Sequence, residues 1–433
     1  MKKIISLLLT AALLLTVTGC AADFMGQMGS SAPEMESPRD PLAFNRDFSA
    51  ADGRERAEVA ARAEGDFAHR AMYDSASPML SEAGYSGGNG SQFAGDASIS
   101  AGTLTAGEWR DNVSFDEFGN LFLLEWKNLK TRWKLDPTNR ITVKVTSDGN
   151  PVRNETVELF AGSAKIWSAK TDHNGIAYLF TKFEYDPQSQ AAAGELEVVA
   201  GGVKKAAEVG SAVEIELSGG VSPAKSLDLM FVIDTTGSMG DELFYLQTEL
   251  ADVIETVKKN NAQIPTRLSV NFYRDFGDDY VVLPHDFTAD IPKAINILKG
   301  QSAEGGGDYP EQLDLALKNG VFEHDWTENS VKLLFVILDA PSHHNNEAIE
   351  NFQKIIPAAA EKGIRIVPIM ASGADLDCEF QLRTLAVTTG GTFTFLTDHS
   401  GVGDPHAEPT VGEYKVEKLN DALVRIIDEY LSN

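Results

Sequence analysis

The chain has 433 residues and a formal net charge of −27 at pH 7, with 37 Lys and Arg against 64 Asp and Glu. This length allows two or three domains. Nucleic-acid affinity depends largely on Lys and Arg at the phosphate backbone, and no basic run is present, so the composition argues against nucleic-acid binding.

Residues 1–19 have the pattern of an export signal. Two lysines precede an apolar run over 4–17, which is too short for a membrane span. The following sequence VTGC, ending at Cys20, resembles the lipobox of bacterial lipoproteins. This resemblance implies cleavage before Cys20 and lipid attachment to it, and therefore an exported, membrane-anchored protein of the bacterial envelope. An ordinary signal peptide with an incidental cysteine is the alternative.

The residues after Cys20 indicate where such an anchor would lie. Ala21 and Ala22 stand where lipoproteins retained in the inner membrane usually have an aspartate, which favours the outer membrane if the organism has one. With Cys20 occupied by lipid, Cys378 has no partner for an intrachain disulfide.

Residues 20–102 are rich in Gly, Ser, Ala, Pro and Asp, and their few apolar residues have no period. Such a segment buries too little apolar surface to offset its ordering entropy, so we expect a flexible tether. Residues 103–138 contain aromatic side chains at mostly helical spacings, ending before Pro137. This pattern predicts a helical connector packed on a neighbouring domain, and an exposed peptide-binding surface is the alternative.

Residues 139–220 alternate apolar and polar side chains in short runs separated by Gly, Asn and Asp turns, which predicts a small antiparallel β-sandwich. The stretches GNPVRNETVELFA and AKTDHNGIAYLF resemble the immunoglobulin-like and transthyretin-like modules of bacterial surface proteins. The resemblance implies a spacer with no chemistry of its own.

From 226 to 433, apolar strands alternate with amphipathic helices. This pattern predicts a doubly wound α/β domain, in which helices cover both faces of a mostly parallel sheet. Ligands of such sheets bind at the carboxyl ends of the strands.

Oxygen-bearing side chains follow three segments of this domain. The strand LDLMFVI ends at Asp234-Thr235-Thr236-Gly237-Ser238, a glycine-rich loop carries Asp308, and Asp339 directly follows the strand KLLFVIL. Carboxylates at one sheet edge repel each other unless a cation joins them. An all-oxygen set suits a hard divalent ion, with Mg²⁺ the first choice and Ca²⁺ or Mn²⁺ possible.

This cluster resembles the metal-ion-dependent adhesion site of von Willebrand factor type A domains. The resemblance, which covers 226–433, implies that Asp234, Thr236, Ser238 and Asp339 are ligands. The family usually has a threonine where this chain has GGGDYPE, and we place Asp308 at that position. Asp308 could instead be the N-cap of a helix that Pro310 begins.

Other candidate residues are weaker. Asp275 could rim the site, while Arg274 beside it is expected to pair with a carboxylate. His343 and His344 are adjacent on a loop and lack supporting zinc motifs, so a shared transition metal is disfavoured. Cys378 lies in a predicted helix with no activating partner, which favours a buried, inert thiol.

The resemblance implies a binding or adhesion protein whose cation grips an acidic side chain of a protein partner. One alternative is a structural module of an envelope complex with a purely stabilising ion. A Mg²⁺-dependent hydrolase is a minor alternative, because no nucleophile with a paired base and no second metal set is evident. We therefore expect a protein that is not an enzyme.

Overall fold

The computed structural model describes residues 100–186, 194–219, 223–403 and 405–432. The export signal, Cys20 and nearly all of the expected tether lie outside the described residues. Among the helices that are described, none is both long and apolar enough to cross a membrane.

A mixed sheet of eight strands forms the centre of the C-terminal half. In spatial order its strands are β12 (Val282–Leu283), β11 (Thr266–Tyr273), β10 (Leu227–Asp234), β13 (Val331–Leu338), β14 (Ile364–Met370), β15 (Phe393–Leu396), β1 (Thr105–Trp109) and β16 (Glu417–Lys418). The strands from β11 to β15 in this order are parallel to their neighbours, whereas β12 and β1 pair antiparallel. The mostly parallel α/β sheet expected from the sequence is therefore present, with antiparallel strands added at both edges.

Eight helices accompany the strands in the described part of the chain. They are α1 (Phe115–Leu121), α2 (Lys127–Trp133), α3 (Gly240–Asn260), α4 (Ile291–Lys299), α5 (Leu313–Phe322), α6 (Asn346–Lys362), α7 (Leu376–Thr389) and α8 (Leu419–Leu431). Successive residues of β10 enter different apolar clusters: Val232 packs with residues of α5, α6 and α7, and Phe231 and Ile233 with residues of α3, α4 and α8. Both faces of β10 are thus buried, which explains its uninterrupted apolar sequence.

The predicted connector differs from the expectation, because its first residues form strand β1 of the large sheet. Ala106 lies opposite Leu396, and Gly107 opposite Phe395. A Cβ added to Gly107 would come within 2.4 Å of Cζ of Phe395, so only glycine leaves room for that ring. The strand is short and its partner lies near the other end of the chain, a pairing that local periodicity does not reveal.

Two short helices, α1 and α2, follow in place of one long helix. Trp126 is fully buried and meets Phe380 of α7 edge to face, with ring centroids 5.4 Å apart. Trp133 is also fully buried, and its indole Nε1 donates to Asp377 Oδ1 at 2.9 Å. These aromatic residues therefore pack against the α/β domain.

Two four-stranded sheets lie between β1 and β10 in the sequence. One contains β3 (Asn150–Pro151), β2 (Arg140–Ser147) and β6 (Ile176–Phe180), with β9 (Ala212–Leu217) also beside β2; the other has the order β5 (Ala164–Lys170), β4 (Thr156–Ala161), β7 (Leu196–Ala200) and β8 (Val203–Ala207). All their described pairings are antiparallel except that of β2 with β9, which is parallel. The immunoglobulin-like character of this two-sheet module stays a prediction.

Candidate metal-binding site

Asp234 is the last residue of β10 and is fully buried. Its Oδ1 accepts hydrogen bonds from the backbone N–H of Thr236 at 2.9 Å and from its hydroxyl at 2.7 Å. Oδ2 is buried and has no hydrogen-bond partner among the described residues. One carboxylate oxygen is thus available to a ligand.

Two hydroxyls connect Asp234 to a second carboxylate. Thr236 Oγ1 lies 3.3 Å from Ser238 Oγ. The Ser238 hydroxyl lies close enough to Asp339 to oppose part of the rise in pKa that burial causes in that carboxyl. Asp339 directly follows β13, the neighbour of β10, and its Oδ1 is buried without a hydrogen-bond partner in the described structure. Parallel pairing of β10 and β13 therefore brings Asp234, Thr236, Ser238 and Asp339 together at the carboxyl ends of these strands.

Glu311 adds a buried carboxylate that the sequence analysis missed. Its backbone N–H donates to Pro341 O at 2.9 Å, which ties it to the loop after β13. A Cβ added to Gly306 would lie 3.1 Å from Glu311 Oε1 and 3.3 Å from Cβ of Thr236. Gly306 therefore lies between the side chain of Glu311 and the loop that follows β10. Oε2 of Glu311 is buried and unpartnered among the described residues. In the sequence only its place in a polar, glycine-rich loop could have suggested it.

The carboxyl groups of this cluster destabilise one another when ionised. Burial, followed by the charge of Asp339, raises the pKa of Asp234 to about 7. Burial also raises the pKa of Asp339 to about 6, and burial together with the charges of Asp234 and Asp275 raises that of Glu311 to about 9. Each of these three carboxyl groups has one buried oxygen without a hydrogen-bond partner among the described residues. Repelling carboxylates with free oxygens are the chemistry that a divalent cation with oxygen ligands requires.

Asp308 lies on the same loop as Glu311, but its side chain is exposed. Its carboxylate groups with Asp275 and the imidazole of His343, with one potential ligand atom from each lying within 4.8 Å of the others. Helix α5 begins at Leu313 with Gln312 as its N-cap residue, so the alternative that Asp308 caps a helix begun by Pro310 is wrong. Metal ligation by Asp308 stays a prediction.

The neighbouring candidate residues have ordinary structural contacts. His343 Nε2 lies 2.8 Å from Asp275 Oδ1, whereas His344 Nε2 lies 3.0 Å from the carbonyl oxygen of Arg132, so the two imidazoles contact different partners. Arg274 donates to the carbonyl of Ser302 at 2.9 Å, in place of the carboxylate that the sequence analysis expected.

Cys378, the remaining candidate, is buried in α7. Burial raises the pKa of its thiol well above the usual value, which suits an inert side chain.

Exposed apolar side chains border the acidic cluster. Phe276 follows Asp275 and is 67% exposed, and Tyr309 follows Asp308 and is 43% exposed. The Tyr309 hydroxyl accepts from the backbone N–H of Asp375 at 2.8 Å, which brings Leu376, 41% exposed, to the same edge. Three apolar side chains are therefore exposed to solvent beside the buried acidic cluster.

Comparison with known proteins finds a family match for part of the chain. Residues 228–402 match the family model of the von Willebrand factor A domain. This part of the chain is a von Willebrand factor A (VWA) domain. The matched range contains Asp234, Thr236, Ser238, Glu311 and Asp339. VWA domains typically mediate protein–protein interaction and often bind a divalent cation.

Two curated proteins are similar to parts of the chain. An ariadne-like RING finger protein of Acanthamoeba polyphaga mimivirus is 31% identical over 130 residues, which is 30% of this chain and 12% of that protein. The alpha-protein kinase vwkA of Dictyostelium discoideum is 19% identical over 220 residues, which is 49% of this chain and 34% of the kinase. The chain thus spans well under two thirds of the length of either relative.

Among solved structures, the chain is similar to the conserved hypothetical protein BatB from Bacteroides thetaiotaomicron. The sequence identity is 14%, the match covers 47% of this chain and 98% of BatB, and the TM-score is 0.33. A similarity at this TM-score supports no conclusion about function.

Proposed function

We propose that this protein is an envelope-anchored binding protein that recognises a protein partner through a divalent cation held in its VWA domain. The observation that carries the proposal is the pair of buried, unpartnered oxygens, Asp234 Oδ2 and Asp339 Oδ1, at the ends of two adjacent parallel strands. Buried polar atoms are normally hydrogen-bonded, so two such atoms at one place favour a bound ion.

Asp234, Thr236, Ser238 and Asp339 would hold the ion. When bound, it supplies positive charge and a coordination position that a partner's carboxylate can fill. Mg²⁺ suits this all-oxygen set, and Ca²⁺ or Mn²⁺ could replace it. Thr236 also holds Oδ1 of Asp234 in place, which leaves Oδ2 directed away from that hydrogen bond.

The third carboxylate comes from the loop before α5, which contains two acidic candidates. Asp308 is the residue that the family resemblance suggests. Glu311 is buried beside Thr236 and is subject to the charges of Asp234 and Asp339. The burial and the charge environment favour Glu311 as the third carboxylate.

The partner that fits this site is a protein segment with an Asp or Glu next to apolar side chains. The carboxylate would meet the cation, and the apolar residues would cover Phe276, Tyr309 and Leu376. Apolar burial around a charged centre excludes water and strengthens the central interaction.

The test is affinity capture from detergent-solubilised envelopes with a chain that begins after Cys20. Capture is compared in Mg²⁺, in EDTA, and with Asp234→Asn, and the matched control is Asp148→Asn, at an exposed turn whose positive φ of 52° also suits asparagine. A partner retained only by the wild type and the control in Mg²⁺ supports the proposal. A partner retained equally in every arm contradicts it and favours a structural ion.

The alternatives make different predictions. A purely stabilising cation raises the stability of the domain but leaves partner binding unchanged in EDTA. A Mg²⁺-dependent hydrolase would turn over a phosphoester or peptide and would lose that activity in Asp234→Asn.

A further inference from the structure

A basic pocket lies at the amino ends of the parallel strands of the large sheet, whereas the VWA metal site lies at their carboxyl ends. It has a volume of about 200 Å³. Lys332 and Arg365, near the starts of β13 and β14, form one wall, and Arg153 and Lys170 from the two-sheet module form another. The pocket therefore lies where the two parts of the chain meet.

The charge of this lining is unlike that of the whole protein. Five cationic side chains line the pocket, namely Arg153, Lys170, Lys225, Lys332 and Arg365, and Asp172 is the one carboxylate among the lining residues. The chain as a whole carries a net charge of −27. Such a concentration of positive charge in an acidic protein calls for a specific explanation.

The two cations most deeply placed in the pocket donate to backbone carbonyls. Lys332 Nζ donates to Glu328 O and Lys362 O, both at 2.9 Å, and Arg365 donates to Thr389 O at 2.8 Å and Lys170 O at 2.6 Å. Across the described ranges, none of the five cationic side chains forms an ion pair within 4.0 Å. An ammonium has three donors and a guanidinium five, so donor capacity remains for a ligand.

Burial makes this arrangement unfavourable without an anion. Lys332 is only 4% exposed and Arg365 only 5%. Burial, followed by the charge of Lys170, lowers the pKa of Lys332 to about 8, against opposing contributions from Asp228 and Glu328. Cations at such positions normally have an anionic partner.

Helix dipoles give a competing explanation for part of this charge. Lys332, Arg365 and Arg153 donate to carbonyls at the C-terminal ends of α6, α7 and α8, where cations are favourable. Each helix end is equivalent to roughly half a negative charge, so three ends offset about 1.5 of the five positive charges. With Asp172 included, more than two of the five positive charges lack a counter-charge among the lining residues.

We propose that this pocket binds a small oxyanion with at least two negative charges, of the phosphate class. The guanidinium groups of Arg153 and Arg365 offer paired donors that suit phosphate oxygens, and the lysines add point charges. The volume admits a phosphate or pyrophosphate group. Because the walls come from both the two-sheet module and the VWA domain, the bound anion stabilises their junction, which the hydrogen bond from Arg365 to Lys170 O already crosses.

The test uses isothermal titration of the chain that begins after Cys20 with inorganic phosphate, pyrophosphate and citrate. NaCl holds the ionic strength constant, and EDTA removes divalent cations that pyrophosphate would bind. Saturable binding with pyrophosphate tightest is expected. Absence of saturable binding at millimolar concentrations, or tighter binding of citrate, overturns the proposal.

Two substitutions locate the binding, and both keep the aliphatic part of the side chain. Lys332→Met removes a buried charge and Lys170→Met a half-buried one, so the second variant remains informative if the first does not fold. Each should weaken pyrophosphate binding about tenfold, as loss of one charged contact does. Lys144→Met, at an exposed position on β2, is the matched control and should have no effect.

A fourth variant separates this inference from the proposed function. Asp234→Asn should keep pyrophosphate binding at the wild-type level, because the metal site lies at the carboxyl ends of the strands and the pocket at their amino ends. Equal weakening in Lys144→Met and Lys170→Met would show general charge attraction and would overturn the assigned pocket.

Discussion

Asp234→Asn should change stability in opposite directions with and without a divalent cation. The asparagine keeps an oxygen that accepts from Thr236 and removes a charge that is fully buried near Asp339. The folded protein raises the pKa of Asp234 from 3.8 to about 7. Because the folded value is the higher one, the stability associated with the protonated group is fully present below pH 3.8 and is lost as the pH rises through 7.

The size of the effect follows from this rise in pKa. A tenfold change in an ionisation constant corresponds to about 1.4 kcal/mol. Relative to its value below pH 3.8, the stability of the metal-free wild type therefore falls by about 2 kcal/mol at pH 5 and about 4 kcal/mol at pH 8 because of the raised pKa of Asp234. In EDTA at pH 8, Asp234→Asn should therefore raise the free energy of unfolding by about 2 to 4 kcal/mol. With Mg²⁺ at about 100 times its dissociation constant, the wild type should gain about 2.7 kcal/mol, and the variant should gain almost nothing.

Urea unfolding compares wild type and variant under four conditions, in EDTA and in Mg²⁺, each at pH 5 and pH 8. Asp148→Asn serves as the control and should match the wild type under every condition. If Asp234→Asn is less stable than the wild type in EDTA at pH 8, burial and repulsion do not determine the energetics of this site. An equal gain in Mg²⁺ for variant and wild type would place the ion elsewhere.

Three further substitutions test separate parts of the interpretation. Glu311→Gln should weaken Mg²⁺ binding about tenfold and Asp308→Asn much less, because Glu311 is the buried carboxylate of this loop; the reverse order in a calorimetric titration would make Asp308 the third ligand. Gly107→Ala should lower the free energy of unfolding by about 1 to 3 kcal/mol, because its Cβ would overlap the Phe395 ring; an unchanged urea midpoint would argue against β1 in the sheet. Cys20→Ala should move the full-length protein from the membrane to the soluble fraction, and continued sedimentation with membranes would exclude the lipid anchor.

The α/β domain could be predicted from the sequence because residues close together in the chain specify each of its strands and helices. Each central strand is an apolar run, and the acidic or hydroxyl residues after β10 and β13 follow directly from where those runs stop. Once the strands are parallel neighbours, Asp234 and Asp339 must approach each other. The edge strand β12 could likewise be anticipated from the short run YVVLP.

Strand β1 and Glu311 could not be predicted in the same way, because both depend on contacts between distant residues. The pattern Thr105–Trp109 is too short to distinguish a strand from the start of a helical connector, and its partner β15 is far along the chain. Glu311 follows Pro310 in a polar loop that reads as solvent-exposed. Its burial arises only when its backbone pairs with the loop beyond β13, through the bridge to Ser342.

The two ends of the large sheet carry opposite charges, and the helix directions explain part of this pattern. At the carboxyl ends of the strands, α3 begins at Gly240 after Ser238, and α5 begins at Leu313 after Glu311. Each helix start is equivalent to about half a positive charge, so two of them offset about one of the three buried carboxylate charges. The pKa values of Asp234 and Glu311 remain raised despite these dipoles, which indicates that the dipoles alone are insufficient. A divalent cation would supply the two charges still required. We therefore expect metal removal to destabilise the carboxyl ends of the strands while leaving the basic pocket at their amino ends intact.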